Sequence, residues 1–257
     1  MRIAFIESPT DIEPEDAFWD RVVQFCEVHR AEALLLNEMP VGSWVAEERR
    51  YNAALAQESL ASHDRLIKKL QDRPFAVLGT RAVVDDPVLA NEAFILDGNG
   101  YRPAHRKAYF PSEGGFFETA WFQCKEAVFS PIDVEDINFG FLICTELMIT
   151  EAARTYAKQD AHVILVPRAT GGDLETWKTA ASMAAIVSGS YVLSSNRVGI
   201  SKGGVVFNGG GFAFGPDGRL IDHTTTDQPF KIIEIDGDLV TRQRREYPCY
   251  ITLAAHS

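Results

Sequence analysis

With 257 residues, 46% hydrophobic and 24% charged, the chain can bury a large core and is too apolar to remain disordered. Its formal net charge of -11 opposes nucleic acid and anionic membrane surfaces through long-range repulsion. No apolar stretch approaches the ~20 residues that span a bilayer. The opening Met1-Arg2-Ile3-Ala4-Phe5-Ile6-Glu7 has no apolar segment followed by a small-residue cleavage site, so no secretory signal is expected. The four cysteines, Cys26, Cys124, Cys144 and Cys249, are widely spread and form no Cys-x-x-Cys pair, which reads as free thiols in a reducing cytoplasm.

In chain order, Arg2 to Glu7 reads as a strand and Glu15 to His29 as a helix, with Phe18, Val22, Phe25 and Cys26 at helical spacing. Ala33 to Leu36 is a short continuous apolar run, the pattern of a strand covered on both faces. Glu47 to Leu70 reads as a longer helix and Phe75 to Gly79 as a strand. A hairpin is predicted from Ala93–Leu96 through Asp97-Gly98-Asn99-Gly100 to Tyr101–Arg106. A buried strand, Ile137 to Ile143, ends at Cys144. A helix follows over Thr150–Lys158, then a strand at Val163–Val166 closed by Pro167, a helix at Trp177–Ser188 and a strand at Tyr191–Ser195. The final predicted strand is Phe230 to Ile235. This alternation predicts an α/β domain with a largely buried, mixed sheet over residues 1–257, with no linker and no clear repeat. The cluster Gly209-Gly210-Gly211 lacks the strand–loop–helix setting of a phosphate-binding loop.

In α/β folds, functional groups gather at the carboxyl ends of strands, which aim them into a shared crevice. Three predicted strand ends carry unusual residues: Glu38 after Leu34-Leu35-Leu36, Lys107 after His105-Arg106, and Cys144 after Phe141-Leu142-Ile143. Singly, each reads as ordinary: a loop carboxylate, a surface cation, an inert core thiol. Together they supply a nucleophile, a base and a cation, a complete set for acyl transfer. The thiolate is the attacking species, so a nearby carboxylate must take the thiol proton. A fixed ammonium group then stabilises the tetrahedral oxyanion, to which the Thr145 N–H could add a donor.

On these residues the chain resembles the nitrilase superfamily of carbon–nitrogen hydrolases. Leu35-Leu36-Asn37-Glu38-Met39-Pro40 is similar to the family's glutamate motif, His105-Arg106-Lys107-Ala108-Tyr109-Phe110-Pro111 to its lysine motif, and Gly140-Phe141-Leu142-Ile143-Cys144 with Glu151-Ala152-Ala153-Arg154 to its nucleophile motif. Val163–Pro167, Tyr191–Gly199 and Pro216-Asp217-Gly218 also fit, so six ordered motifs carry the likeness. The resemblance implies a four-layer α-β-β-α sandwich with two mixed sheets, homodimerisation or larger assembly through a helical layer, a Glu-Lys-Cys triad, and neither metal nor organic cofactor. It also implies a second glutamate that holds the lysine and positions substrate. Glu118, in an aromatic setting similar to the carbamoyl-amide branch, is preferred for that role over Glu113.

Thr145 and Glu146 stand where many members carry an aromatic residue and Asp, and Glu146 is expected to repeat the role of the Asp near substrate. Ala184–Ser188 replaces an Arg-Ala-x-Glu-Asn-like stretch. Arg168 follows Pro167, where small residues are commoner; it could bind a substrate carboxylate at the pocket mouth or pair internally with Asp173 or Glu175. Met148 and Ile149 are expected at the pocket rim, and Tyr156 and Trp177 in the core. Cys26 and His29 could be half of a metal site, but no second pair completes it, so they read as packing. The leading functional expectation is a cytoplasmic amidase acting on a small amide or N-carbamoyl compound. The alternatives are a true nitrilase, an acyltransferase and an inactive regulatory dimer.

Overall fold

The computed structural model describes residues 1–253. The single-domain expectation also covers 254–257, which lie outside the described residues. Strand β1 (Arg2–Pro9) alternates in the way a sheet between two layers requires: Ile3 and Phe5 face one core, Ala4 and Ile6 another. Beside it lie β2 (Ala33–Leu35), β3 (Ala76–Asp85), β4 (Val88–Asp97) and β5 (Gly100–Arg106), in the order β5-β4-β3-β2-β1. The pairs β1–β2 and β2–β3 are parallel, and β3–β4 and β4–β5 antiparallel. Helices α1 (Ala17–Val28) and α2 (Ala53–Leu70) cover the Ala4, Ile6, Leu34, Leu36 and Val77 face.

After a two-stranded hairpin, β6 (Ser112–Glu113) with β7 (Phe116–Phe117), the second half begins. There β8 (Ile132–Val134), β9 (Ile137–Phe141), β10 (Val163–Pro167) and β11 (Tyr191–Ile200) form the mixed order β8-β9-β10-β11. Helices α3 (Thr150–Lys158) and α4 (Leu174–Ser188) pack on it through Ala152, Ala153, Tyr156, Ala181 and Ala185. The same core contains Ile3, Phe5, Leu35, Leu78 and Ile95 from the first sheet, so the two sheets pack face to face between helical layers. Each buried Phe or Leu here contributes roughly 1.5–3 kcal/mol, and the strand ends inherit that rigidity.

Short strands β12 (Val206–Asn208), β13 (Phe212–Phe214) and β14 (Leu220–His223) extend from β11, and β15 (Phe230–Glu234) pairs antiparallel with β1. The expected pair of sheets is joined into one hydrogen-bonded path. The ends of β1 and β11 pair in parallel, Glu7 with Asn196, Ser8 with Arg197 and Pro9 with Val198. That pairing, together with β12, carries β11 past its expected end at Ser195.

Several boundaries move for local reasons. Helix α2 starts at Ala53, later than expected, because Asn52 Oδ1 caps it, accepting from Ala54 N (2.9 Å) and Leu55 N (3.3 Å). Helix α4 starts earlier, at the Asp173 cap, and ends at Gly189 with φ +62, a left-handed stop suited to glycine. Strand β3 extends to Asp85 by pairing with residues 88–96 of β4. Helices α5 (Gly237–Gln243) and α6 (Cys249–Leu253) were not expected from the sequence. Among the described residues, no helix is long and apolar enough to cross a membrane.

Candidate active site

Three strand ends meet on one side of the sandwich. Glu38 follows β2 in a loop held from both sides: Leu36 N donates to Leu78 O (2.8 Å) and Glu38 N to Arg168 O (3.1 Å). Lys107 directly follows β5, with its backbone N–H on Asn91 O (2.9 Å). Cys144 opens a 3-10 turn, Cys144–Met148, after β9, and Leu142 N is tied to Leu165 O (2.9 Å).

The side chains form one buried cluster. Lys107 Nζ donates to Glu38 Oε1 (2.8 Å) and to Glu118 Oε2 (2.6 Å). Glu38 Oε1 also accepts from Asn91 Nδ2 (2.8 Å), and Oε2 accepts from Ala169 N (3.1 Å). Glu38, Lys107, Glu118 and Cys144 are all buried. Burial by itself pushes the Lys107 ammonium down, yet the adjacent Glu118 and Glu38 outweigh it, and the group stays charged well above the usual lysine range. An ammonium has three N–H donors, so one remains beyond the two carboxylate contacts. Glu118 is pushed up to about 8, first by burial and further by Glu38, with Lys107 opposing. Burial and the negative field of Glu38 raise the Cys144 thiol, while Lys107 and the Ala169 N–H draw it back down. The balance raises the Cys144 thiol, which favours its neutral form.

Cys144 has φ +53 and Met39, next to Glu38, φ +45. Side chains rarely adopt this left-handed region, which costs about 1–2 kcal/mol, so the surroundings must hold both residues there. At Met39, Arg197 does so. Its guanidinium donates to Met39 O, Gly42 O and Thr10 Oγ1 and sits 5.7 Å over the rings of both Trp44 and Phe207. Asn196 pins the Ala169 loop through Thr170 N and O (3.1 and 3.0 Å). At Cys144, the following turn makes its first backbone bond from Glu146 N to Ile143 O (3.2 Å), so the Thr145 N–H precedes the bonded part of the turn.

The structure corrects several expectations about surrounding residues. Of the two candidate second glutamates, Glu118 reaches Lys107, whereas Glu113 is exposed on the β6–β7 hairpin. Glu146 cannot offer an oxygen to substrate: it is fully buried, and both oxygens are occupied by Ile143 N (2.8 Å), Ala108 N (2.7 Å) and His105 Nε2 (2.8 Å). Arg168 lies in the interior, away from any pocket mouth and bonded to neither Asp173 nor Glu175. It donates to Ser194 Oγ (2.7 Å) and Gly210 O (2.6 Å) and packs over Trp177 and Phe212. Thr145 is half-buried, with Oγ1 donating to Tyr109 O (2.9 Å). Met148 is exposed in a cleft between α3 and α4. Tyr156 and Trp177 are buried and Cys26 packs inside α1.

Sequence reasoning missed Asn91, Ala169 and His105. Asn91 carried a readable signal, a lone amide within the apolar run Val88-Leu89-Ala90 and Ala93–Leu96. Ala169 acts through its backbone and leaves no trace in side-chain pattern. A cavity of about 530 Å³ opens beside the site, between Glu113–Phe116, Gly171–Gly172 and Gly203–Val206, with Glu47 and Glu48 in its wall. Glu118 and Ala169 lie just along the chain from that wall, and the cysteine does not line it. Among the described residues, no group of three or more His, Cys, Asp or Glu is placed to hold a metal ion.

A two-sheet sandwich with a thiol, two carboxylates and an ammonium converging at its strand ends is the architecture of a carbon–nitrogen hydrolase. The family profile for carbon-nitrogen hydrolases matches residues 11–245, and the chain belongs to that family, within the nitrilase superfamily. An (R)-stereoselective amidase of a Pseudomonas species is 27% identical over 204 residues, covering 76% of this chain and 71% of that protein. The fold matches a carbon-nitrogen hydrolase from Helicobacter pylori G27 with a TM-score of 0.81 at 21% identity, over 98% of this chain and 94% of that one. It also matches an amidase from Nesterenkonia sp. AN1, carrying acrylamide added at its active-site cysteine, with a TM-score of 0.78 at 20% identity, over 95% and 97%.

Proposed function

We propose that this carbon–nitrogen hydrolase is an amidase that cleaves a small amide or N-carbamoyl compound through a thioester on Cys144. The observation that carries this reading is the Lys107 ammonium held at 2.8 and 2.6 Å between Glu38 and Glu118, with Cys144 on a left-handed turn in the same electrostatic cluster. The amidase relatives support it from outside.

Because the neutral thiol is favoured, its proton leaves as the sulfur attacks. Cys144 Sγ bonds to the amide carbon while Glu38 takes the thiol proton. Negative charge develops on the former carbonyl oxygen, facing the remaining Lys107 N–H and the Thr145 N–H. Glu38 returns its proton to the nitrogen, the C–N bond breaks and ammonia or an amine departs. Glu38 then takes a proton from water, whose oxygen attacks the thioester. The acid is released and the proton returns to the sulfur. Glu118 keeps Lys107 in place.

Homodimer formation through an outer helical layer and a cytoplasmic setting belong to the same proposal; elution volume tests the first. A panel of small amides, N-carbamoyl amines and nitriles, scored for ammonia release and acid product, tests the activity. Turnover of amides that disappears in Cys144→Ala is expected. Turnover confined to nitriles, or persisting in the variant, contradicts the proposal.

A further inference from the structure

His105 and Glu146 lie outside the cluster just described, yet they meet beside it. His105 stands near the end of β5, just before Lys107, and Glu146 stands in the turn that begins at Cys144. The ring is buried, with Nδ1 3.0 Å from Val128 O and Nε2 2.8 Å from Glu146 Oε2. A neutral imidazole has one N–H donor. Here both ring nitrogens face acceptors, so the Nε2–Oε2 axis must carry a second proton, on the ring or on the carboxyl. On its other sides Glu146 accepts from Ile143 N, the residue before Cys144, and from Ala108 N, the residue after Lys107.

One carboxyl group therefore ties the nucleophile's turn to the chain that presents the cation, and the histidine clamps it. Phe129 stacks on the ring at 5.2 Å and covers it. The charged groups around the adjoining cleft are Arg106 on β5, Glu92 on β4 and Glu126 on the segment before β8. Arg106 is engaged with Glu92 (3.2 Å) and Asp85 (3.4 Å), which leaves the Glu146 carboxyl as the group bonded to Nε2.

We infer that His105 and Glu146 are a positioning pair: the hydrogen bond they share fixes the Cys144 turn against the Lys107 strand. The inference rests on the reading of Cys144 as nucleophile and Lys107 as its cation. Neither member of the pair touches substrate.

The test compares wild type, His105→Gln and His105→Leu. The readouts are iodoacetamide alkylation of Cys144 by peptide mass and amide kcat and KM, all at one neutral pH, with thermal melting as the check on folding. His105→Leu removes the donor and is expected to lower the alkylation rate and kcat about 10- to 100-fold while KM changes little, the size of effect that slight misplacement produces. His105→Gln keeps an N–H for Oε2 and cannot titrate. It is expected to recover most of the rate.

Wild-type reactivity in a folded His105→Leu overturns the inference, as does a His105→Gln no better than His105→Leu. If His105→Leu does not fold, His105→Gln decides: a folded His105→Gln that has lost ten-fold or more of the wild-type alkylation rate and kcat also overturns it. The underlying reading fails separately, when wild-type Cys144 alkylates no faster than Cys124.

Discussion

Glu118 Oε2 lies 2.6 Å from Lys107 Nζ, the shorter of the two carboxylate contacts that hold this buried ammonium. With Glu38 on the other side, removal of the cation leaves two buried carboxyl groups without their counter-charge. Lys107→Met is expected to cost about 3–5 kcal/mol of stability and to abolish turnover. Urea denaturation followed by circular dichroism measures the first and ammonia release the second; a variant as stable as wild type would show that the cluster is not charge-paired.

The same contact has a signed pH dependence. Glu118 titrates at about 8 in the fold against an ordinary value of 4.5, so the native state binds its proton more tightly than the unfolded chain does. Its contribution to stability is present below the ordinary value and is lost as pH rises through the window up to about 8. Glu118→Gln removes that slope. Its urea midpoint should gain on wild type from acid to mildly alkaline pH, and parallel midpoints across the window would contradict the assignment.

In the proposed mechanism Glu38 is the base, and its removal leaves the Cys144 thiol in place. Glu38→Gln should lower kcat by roughly 100- to 10,000-fold, the usual worth of a positioned acid–base group. Because Cys144 remains, iodoacetamide should still label it, and mass spectrometry of the labelled peptide distinguishes this from collapse of the site. Loss of labelling together with loss of the melting transition would mean that Glu38 is needed to fold.

Gly140 lies on β9, the strand that leads to Cys144, and packs closely against Tyr156. A Cβ at Gly140 would lie 2.7 Å from the Tyr156 ring, while the Tyr156 hydroxyl accepts from Phe141 N (3.0 Å) and donates to Phe141 O (2.8 Å). Gly140→Ala must displace that ring and should cost about 1–3 kcal/mol. Tyr156→Phe leaves a buried backbone N–H and C=O without their partner, at about 1–3 kcal/mol. Thermal melting checks both; an unchanged Gly140→Ala would mean that the ring moves freely.

His63 sets an acid limit. It is buried, with Nδ1 2.7 Å from Ser59 O and no partner at Nε2, and burial lowers it from 6.5 to about 3. The ring folds neutral, so its contribution to stability is present above 6.5 and falls at about 1.4 kcal/mol per pH unit as acid is added down to about 3. His63→Gln should flatten that part of the acid denaturation curve.

The sequence exposed the groups whose type is unusual for their place. Glu38, Lys107 and Cys144 stood out because each ended a run of strand residues, and ordered motifs linked them. The layers were legible because strands with continuous apolar runs, such as Ala33–Leu35, need cover on both faces. What escaped depended on partners distant in the chain. Arg168 reads as a surface or substrate-binding cation until β11 supplies the Ser194 hydroxyl and the loop before β13 the Gly210 carbonyl. Glu146 reads as a substrate contact until His105, from another sheet, fills its last position. The joining of the two sheets through Glu7–Pro9 and Asn196–Val198 is backbone pairing, which side-chain pattern does not encode.

In the proposed mechanism Cys144 carries the acyl group during turnover. Acid quenching during steady hydrolysis of a small amide, followed by peptide mass mapping, reads this directly. The acyl mass is expected on the Cys144 peptide alone and absent from Cys144→Ala, which should also be inactive. An unmodified Cys144 during full turnover, together with an active Cys144→Ala, would contradict it.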